Sequence, residues 1–273
     1  MKTIIVYISG ALGDIILSTP ALSVIRYAFI DYHIHIIGTS YLYELYPYLF
    51  DSFTNINSRF VAKLFSDEAM CAIKEHSIWK DAETIIIFER SGSNLSQYIK
   101  KLNLIVINAS FKDCKFHYSN FLYFETIRAL KVSCQLNIPY PVSTKPDIYV
   151  EKPFAIIHPG SGSKKKNASC EIIKKECIQK QGVQKWNWIV LSGESDIESV
   201  NSFLRIWKMP KTKHIHLPKL TEIAWLMSNA EYYIGNDSGI SHLAGVSGVQ
   251  GTVFFVTTDP VIWKPIGESI LVK

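Results

Sequence analysis

The residue types best suited to chemistry sit in three glycine-containing turns. The first, Ser9-Gly10-Ala11-Leu12-Gly13-Asp14, follows the apolar run Thr3–Ile8 and precedes a helical stretch containing Thr19-Pro20-Ala21-Leu22. Glycine lets the backbone turn tightly after a strand. The Asp14 carboxylate is then set at the carboxyl edge of a sheet, where open α/β folds place their ligands. There Asp14 can work on a ligand or simply cap the helix that follows. The spacing is not GxGxxG, so the dinucleotide fingerprint is absent.

The second turn, His158-Pro159-Gly160-Ser161-Gly162-Ser163, runs into Lys164, Lys165 and Lys166. Glycine and serine amides beside ammonium groups suit a diphosphate; a flexible surface loop with solvated lysines has the same composition. The third, Gly235-Asn236-Asp237-Ser238-Gly239-Ile240-Ser241-His242-Leu243-Ala244, follows the run Tyr232–Ile234. Asp237 or Ser238 can cap a helix whose first amides face a ligand, or the segment is an ordinary capped helix with a buried His242. One device links the turns. In each half of the chain a Gly/Ser-rich turn joins a strand end to a helix start, which suits a ligand gripped between two domains.

Strands and helices must hold these turns in place. Apolar, β-rich runs at Thr3–Ile8, His33–Ile37, Thr84–Phe88 and Leu104–Ile107 alternate with longer segments of mixed polarity such as Ala21–Phe29 and Phe121–Leu136. That alternation predicts a parallel sheet covered by helices. Between Asn137 and Pro153, Pro139, Pro141, Pro146 and Pro153 interrupt the pattern and mark a linker. The alternation then resumes with Phe154–His158, Trp188–Leu191, His214–His216, Tyr232–Ile234 and Thr252–Val256 as strands. The expected fold class is α/β with two domains.

Bulk properties agree. A chain of 273 residues exceeds one hydrophobic core, and 48% hydrophobic against 19% charged residues makes it globular. The net charge of +5 favours anionic partners. Its basic residues are dispersed and carry no recognition signature, so nucleic acid is not an expected partner. Cys71, Cys114, Cys134, Cys170 and Cys177 are odd in number and form no CxxC pair, which points to a reduced, cytoplasmic protein without a zinc ribbon. Ser238–Thr258 lacks charge but contains His242 and four glycines, so it reads as helix, turn and strand rather than a membrane span. Tyr41, Tyr43, Tyr46 and Tyr48 with Phe50 fit a half-buried aromatic face or a lipid contact.

Taken together, GALGDIILSTPAL, HPGSGSKKKN, LSGESDIE, AEYYIGNDSGISHLAG and TDPVIWKPIG resemble, in order and along nearly the whole chain, the landmarks of glycosyltransferase family 9, the bacterial lipopolysaccharide heptosyltransferases. The resemblance implies a GT-B fold, in which two Rossmann-like domains face a central cleft. Residues 1–145 would form the acceptor-side domain and 146–273 the nucleotide-sugar-binding domain. The second is expected to be short, since the sequence ends soon after Trp263-Lys264-Pro265.

The resemblance also implies an inverting transfer of heptose from an ADP-sugar, the nucleotide-sugar donor, to an anionic glycolipid acceptor of the lipopolysaccharide inner core. Such an enzyme has room for a peripheral contact with the inner membrane surface. Asp14 becomes the catalytic base, and Lys166 pairs with the donor diphosphate. Ser161, Gly162, Asp237, Ser238, Gly239 and His242 line the donor pocket, and Glu194 matches the family's acidic residue in its strand-end loop. Acceptor contacts are expected from first-domain loops between Arg59 and Asn120. The chain has Ala168-Ser169 where relatives commonly have Trp-Pro, so Lys164 and Lys165 compete with Lys166 for the diphosphate. No Asp-x-Asp triplet occurs, so no metal or other cofactor is expected. Two other readings stay open. One is a degenerate GT-B protein that binds sugar nucleotides without catalysis, the other a nucleotide-dependent oxidoreductase, against which the missing GxGxxG stands.

Overall fold

Each apolar run of the sequence forms a strand, and every strand pair is parallel. The computed structural model of the chain describes residues 2–66, 77–80, 82–90 and 103–273. They fall into two units, Met1–Pro139 and Tyr140–Lys273.

The first unit runs β1 (Thr3–Tyr7), α1 (Leu12–Ala28), β2 (His33–Gly38), α2 (Ser40–Leu45), β3 (Ser52–Asn55), α3 (Arg59–Lys63), α4 (Ser77–Lys80), β4 (Ala82–Glu89), β5 (Leu104–Asn108) and α5 (Tyr118–Leu130). Its sheet order is β3-β2-β1-β4-β5. Side chains alternate between faces along a strand. Ile5, Tyr7, Ile85 and Ile87 therefore share one face, where they pack with Val61, Leu64 and Trp79. The helices α1 and α5 pack against each other.

Helix α1 contains the expected Thr19-Pro20-Ala21-Leu22 stretch but begins at Leu12, so Pro20 lies in its interior. A proline removes the N–H that would bond the carbonyl four residues back, here Ile16. The Thr19 hydroxyl donates to that Ile16 carbonyl at 2.8 Å, so the acceptor is not left unpaired and the helix continues.

The second unit runs β6 (Phe154–His158), α6 (Cys170–Gln181), β7 (Asn187–Ser192), α7 (Ile197–Ile206), β8 (Thr212–His216), α8 (Leu220–Asn229), β9 (Tyr232–Asn236), α9 (Gly239–Val246), β10 (Gly251–Phe254), α10 (Pro260–Trp263) and β11 (Ile270–Val272). The order is β11-β10-β9-β6-β7-β8. One face is closed by an aromatic core in which Trp186 stacks on Tyr232 and Trp188 meets Trp207 edge-on, with Ile173 and Cys177 of α6 and Val200 and Phe203 of α7.

The proline-rich segment belongs to the second unit, and the division falls at its start rather than at 145/146. The reason is hydrogen bonding. Thr144 N–H donates to Thr221 O, Lys152 Nζ to Asn229 Oδ1, and Lys213 Nζ to Tyr149 O, so the extended chain is fastened to the unit that follows it. In both sheets the first strand lies beside the fourth, because the chain builds outward on one side and then crosses to the other. That reversal is where open α/β sheets leave a crevice at the carboxyl ends of their strands. Among the described residues no helix is long and apolar enough to cross a membrane.

Candidate functional site

In the first unit the reversal lies between β1 and β4. Tyr7 pairs with Ile87, so three residues on, Gly10 comes level with Arg90. The Asp14 carboxylate reaches back over this turn from the first turn of α1. Its Oδ2 accepts the Ala11 N–H at 3.0 Å and lies 3.3 Å from Arg90 Nη1. The helix-capping and ligand-facing readings of Asp14 are thus compatible in one side chain, since among the described residues only Oδ2 accepts a hydrogen bond. Gly10 has φ +155, and a Cβ there would lie 2.7 Å from Asp14 Cβ and 2.8 Å from Arg90 Nη2. Only glycine lets the turn pass between the two charges.

In the second unit the reversal lies between β6 and β9, and the other two turns leave these strands. The Asp237 side chain is 5% exposed. Its Oδ2 accepts Lys166 Nζ at 2.7 Å and the Thr258 hydroxyl at 2.6 Å, and His242 Nε2 stands 3.9 Å from Oδ1. Ser238 caps α9 by accepting Ser241 N–H. The first N–H groups of that helix have no intrahelical acceptor, so they present a positive edge.

Behind this edge runs a closed network. Tyr233 OH and Ser241 Oγ are 2.8 Å apart, and Ser241 Oγ donates to Asn236 O. Ser238 Oγ lies 3.3 Å from His158 Nδ1, while His158 Nε2 lies 2.8 Å from Asp196 Oδ2. Gly193 N–H donates to Asp196 Oδ1 at 2.7 Å. Burial pushes the Asp196 carboxyl up, but the hydrogen bonds from His158 and Gly193 outweigh it and hold the group below the usual carboxylate range. A Cβ at Gly160 would collide with the Asp196 side chain, which explains the glycine in the His158–Ser163 turn.

The structure therefore brings Lys166, Asp237, Ser238, Gly239 and His242 to one strand-end edge. Ser161 is buried there and its hydroxyl lies 2.6 Å from Asn167 Oδ1. Gly162 is exposed, and a Cβ there would extend into open space among the described residues. Of the two competing lysines, Lys164 is exposed and paired with Glu198, and Lys165 is exposed. Glu194 is exposed on the turn after β7, whereas the buried carboxylate of that loop is Asp196. Among the expected aromatic contacts Tyr46 is fully buried, while Tyr43 and Tyr48 are exposed. Sequence reasoning passed over Arg90, His158, Asp196 and Thr258. Three of them lie in or beside recognised motifs; Arg90 had only its place at a strand end as a signal. Cys71 and, of the acceptor contacts expected between Arg59 and Asn120, residues 67–76, 81 and 91–102 lie outside the described residues. Cys114, Cys134, Cys170 and Cys177 are all unbridged.

The model of glycosyltransferase family 9 (heptosyltransferase) matches residues 132–272. The fold is similar to a glycosyltransferase of family 9 from Veillonella parvula DSM 2008, with TM-score 0.77 and 18% identity over 100% of this chain and 86% of that one. It is also similar to E. coli ADP-heptose LPS heptosyltransferase II, with TM-score 0.72 and 12% identity over 100% and 90% of the two chains. E. coli heptosyltransferase WaaC with ADP gives TM-score 0.68 and 13% identity over 99% and 92%. No curated protein matches by sequence.

Proposed function

The chain belongs to glycosyltransferase family 9 (heptosyltransferase), and from that premise we propose that it moves a heptose from an ADP-sugar to an anionic glycolipid of the lipopolysaccharide inner core, with inversion. One observation carries the reading. Each unit places its charged groups at its own chain reversal: a carboxylate with an oxygen to spare in the first, and an ammonium beside a helix start in the second.

Asp14 is the base that takes the acceptor hydroxyl proton as the oxygen attacks the anomeric carbon. A single displacement opposite the departing diphosphate inverts that carbon and needs one base. The negative charge growing on ADP is met by Lys166, helped by the amides at the start of α9, Ser161 and Gly162. Asp237 holds the Lys166 ammonium at the edge. His242, Ser238 and Gly239 shape the same pocket, and Glu194, reaching from the exposed turn, is assigned to the donor's sugar or ribose. The reaction is proposed to need no metal, since these cationic and amide groups supply the countercharge. Transfer that persists unchanged in excess EDTA is the expected outcome, and loss restored by a divalent ion would overturn it.

The acceptor is placed at the inner face of the cytoplasmic membrane. Exposed Phe111, Phe116 and Phe124 beside exposed Lys112 and Lys115 support a peripheral contact there. Co-sedimentation with anionic but not neutral vesicles tests that contact. Thermal-shift titration with ADP-heptose, ADP and UDP tests the donor. A ligand at 100 times its dissociation constant adds about 2.7 kcal/mol to stability, so the ADP compounds should raise the melting temperature well before UDP does. Preference for UDP would refute the donor assignment.

A further inference from the structure

Three neighbouring strand ends bring Gly10, Arg90 and Ala109 into one row. Tyr7 pairs with Ile87, and Phe88 with Ile107, so continuing both registers sets Arg90 between the other two. Ala109 O accepts the Tyr118 hydroxyl hydrogen at 2.8 Å. Tyr118 is 1% exposed, and burial pushes its phenol up to about 12 although the positive charge of Arg90 works the other way. At that value the hydroxyl keeps its proton for Ala109.

The guanidinium, set in this row by the strand register, pairs with Asp14 at 3.3 Å. Both donors to Asp14, the Ala11 N–H and Arg90 Nη1, use Oδ2. Among the described residues Oδ1 accepts no hydrogen bond. A carboxylate held through one oxygen by two donors presents its other oxygen in a constant direction.

We propose that Arg90 is a positioning residue that holds Asp14 through Oδ2 and thereby makes Oδ1 the atom that receives the acceptor proton. The inference rests on the base reading of Asp14 given above. In the transfer step the acceptor oxygen forms its bond to the anomeric carbon, the carbon–diphosphate bond breaks toward ADP, and the proton ends on Oδ1. Lysine can supply the charge but not a planar fork.

A mutant cycle decides the matter. Turnover is measured for the unmodified chain, Asp14→Asn, Arg90→Gln, Arg90→Lys and Asp14→Asn/Arg90→Gln, with ADP binding and melting temperature as folding controls. A misplaced base costs up to about a hundredfold, so Arg90→Gln should lower kcat by tenfold or more. ADP affinity and acceptor KM should stay within about twofold, and Arg90→Lys should recover part of the loss. The double variant should be no slower than Asp14→Asn alone, because a residue that acts only through Asp14 has nothing left to act on. Multiplying losses in the double variant, or a raised acceptor KM with unchanged kcat in Arg90→Gln, would show an independent role and overturn the inference. Full activity in Asp14→Asn would instead remove the base reading itself. Loss in Asp14→Asn with full activity in Arg90→Gln would remove the Arg90 inference alone.

Discussion

Replacing Lys166 by methionine separates what this side chain does for the fold from what it does for the donor. Its ammonium lies 2.7 Å from Asp237 Oδ2, with the lysine side chain 36% exposed and the aspartate 5%. Removing one partner of a fully buried pair costs about 3–5 kcal/mol, because a charge is left without compensation. Here the lysine end is in water and screened, and the Thr258 hydroxyl still donates to the same oxygen at 2.6 Å. The expected cost is therefore about 1–2 kcal/mol, which for a unit of this size lowers the melting temperature by about 3–8 °C. Scanning calorimetry without nucleotide reads it directly. Adding Asp237→Asn should restore at least half of the loss, since the stranded charge is then gone. ADP titration gives the second readout. Loss of a charge-assisted hydrogen bond to phosphate should weaken ADP by about tenfold or more, and Asp237→Asn should not repair that. Wild-type melting in Lys166→Met, or wild-type ADP affinity, would refute the assignment of this lysine.

Other perturbations have equally specific outcomes. Gly160→Ala forces its new methyl against Asp196 and should cost about 1–3 kcal/mol through overpacking, read as a lower denaturation midpoint. Ser238→Ala removes the cap of α9 and should cost about 0.5–2 kcal/mol, with weaker ADP binding as the helix start loosens. Asp196 is held below the ordinary carboxylate value of about 3.9. Its contribution is thus fully present above about pH 4 and lost as pH falls through the lower folded value. Urea midpoints measured from pH 5 to pH 2.5 should fall more steeply for the unmodified chain than for Asp196→Asn.

Much of the framework was legible because it depends on local pattern. The runs Thr3–Ile8, His33–Ile37 and Phe154–His158 are apolar enough to be central parallel strands and form them. The strands passed over are edge strands. Ser52–Asn55 is half polar and only partly buried, and Ile270–Val272 has three residues with its middle one exposed. An edge strand has one pairing side and little burial, so it leaves a weak signature. Helix α1 was legible around Thr19–Leu22 but not in its start at Leu12, which reads as part of the glycine turn, and the rescue of the Ile16 carbonyl by Thr19 is a contact invisible in composition. For the site, Asp14, Asp237 and Ser238 could be found because turn chemistry fixes them next to their own strands. Arg90 could not, because its meaning depends on β4 lying beside β1, and strand order is a property of the folded sheet. The same holds for His158 and Asp196, 38 residues apart in sequence and 2.8 Å apart in space.

Every step rests on the carboxylate of residue 14 being chemically engaged rather than a mere helix cap. The most direct measurement is single-turnover transfer by Asp14→Asn with ADP-heptose and an inner-core acceptor, beside its dissociation constant for ADP-heptose. The amide can still accept the Ala11 N–H, so folding and donor affinity should match the unmodified chain while transfer falls by about a hundredfold or more. Undiminished transfer by this variant would contradict the account.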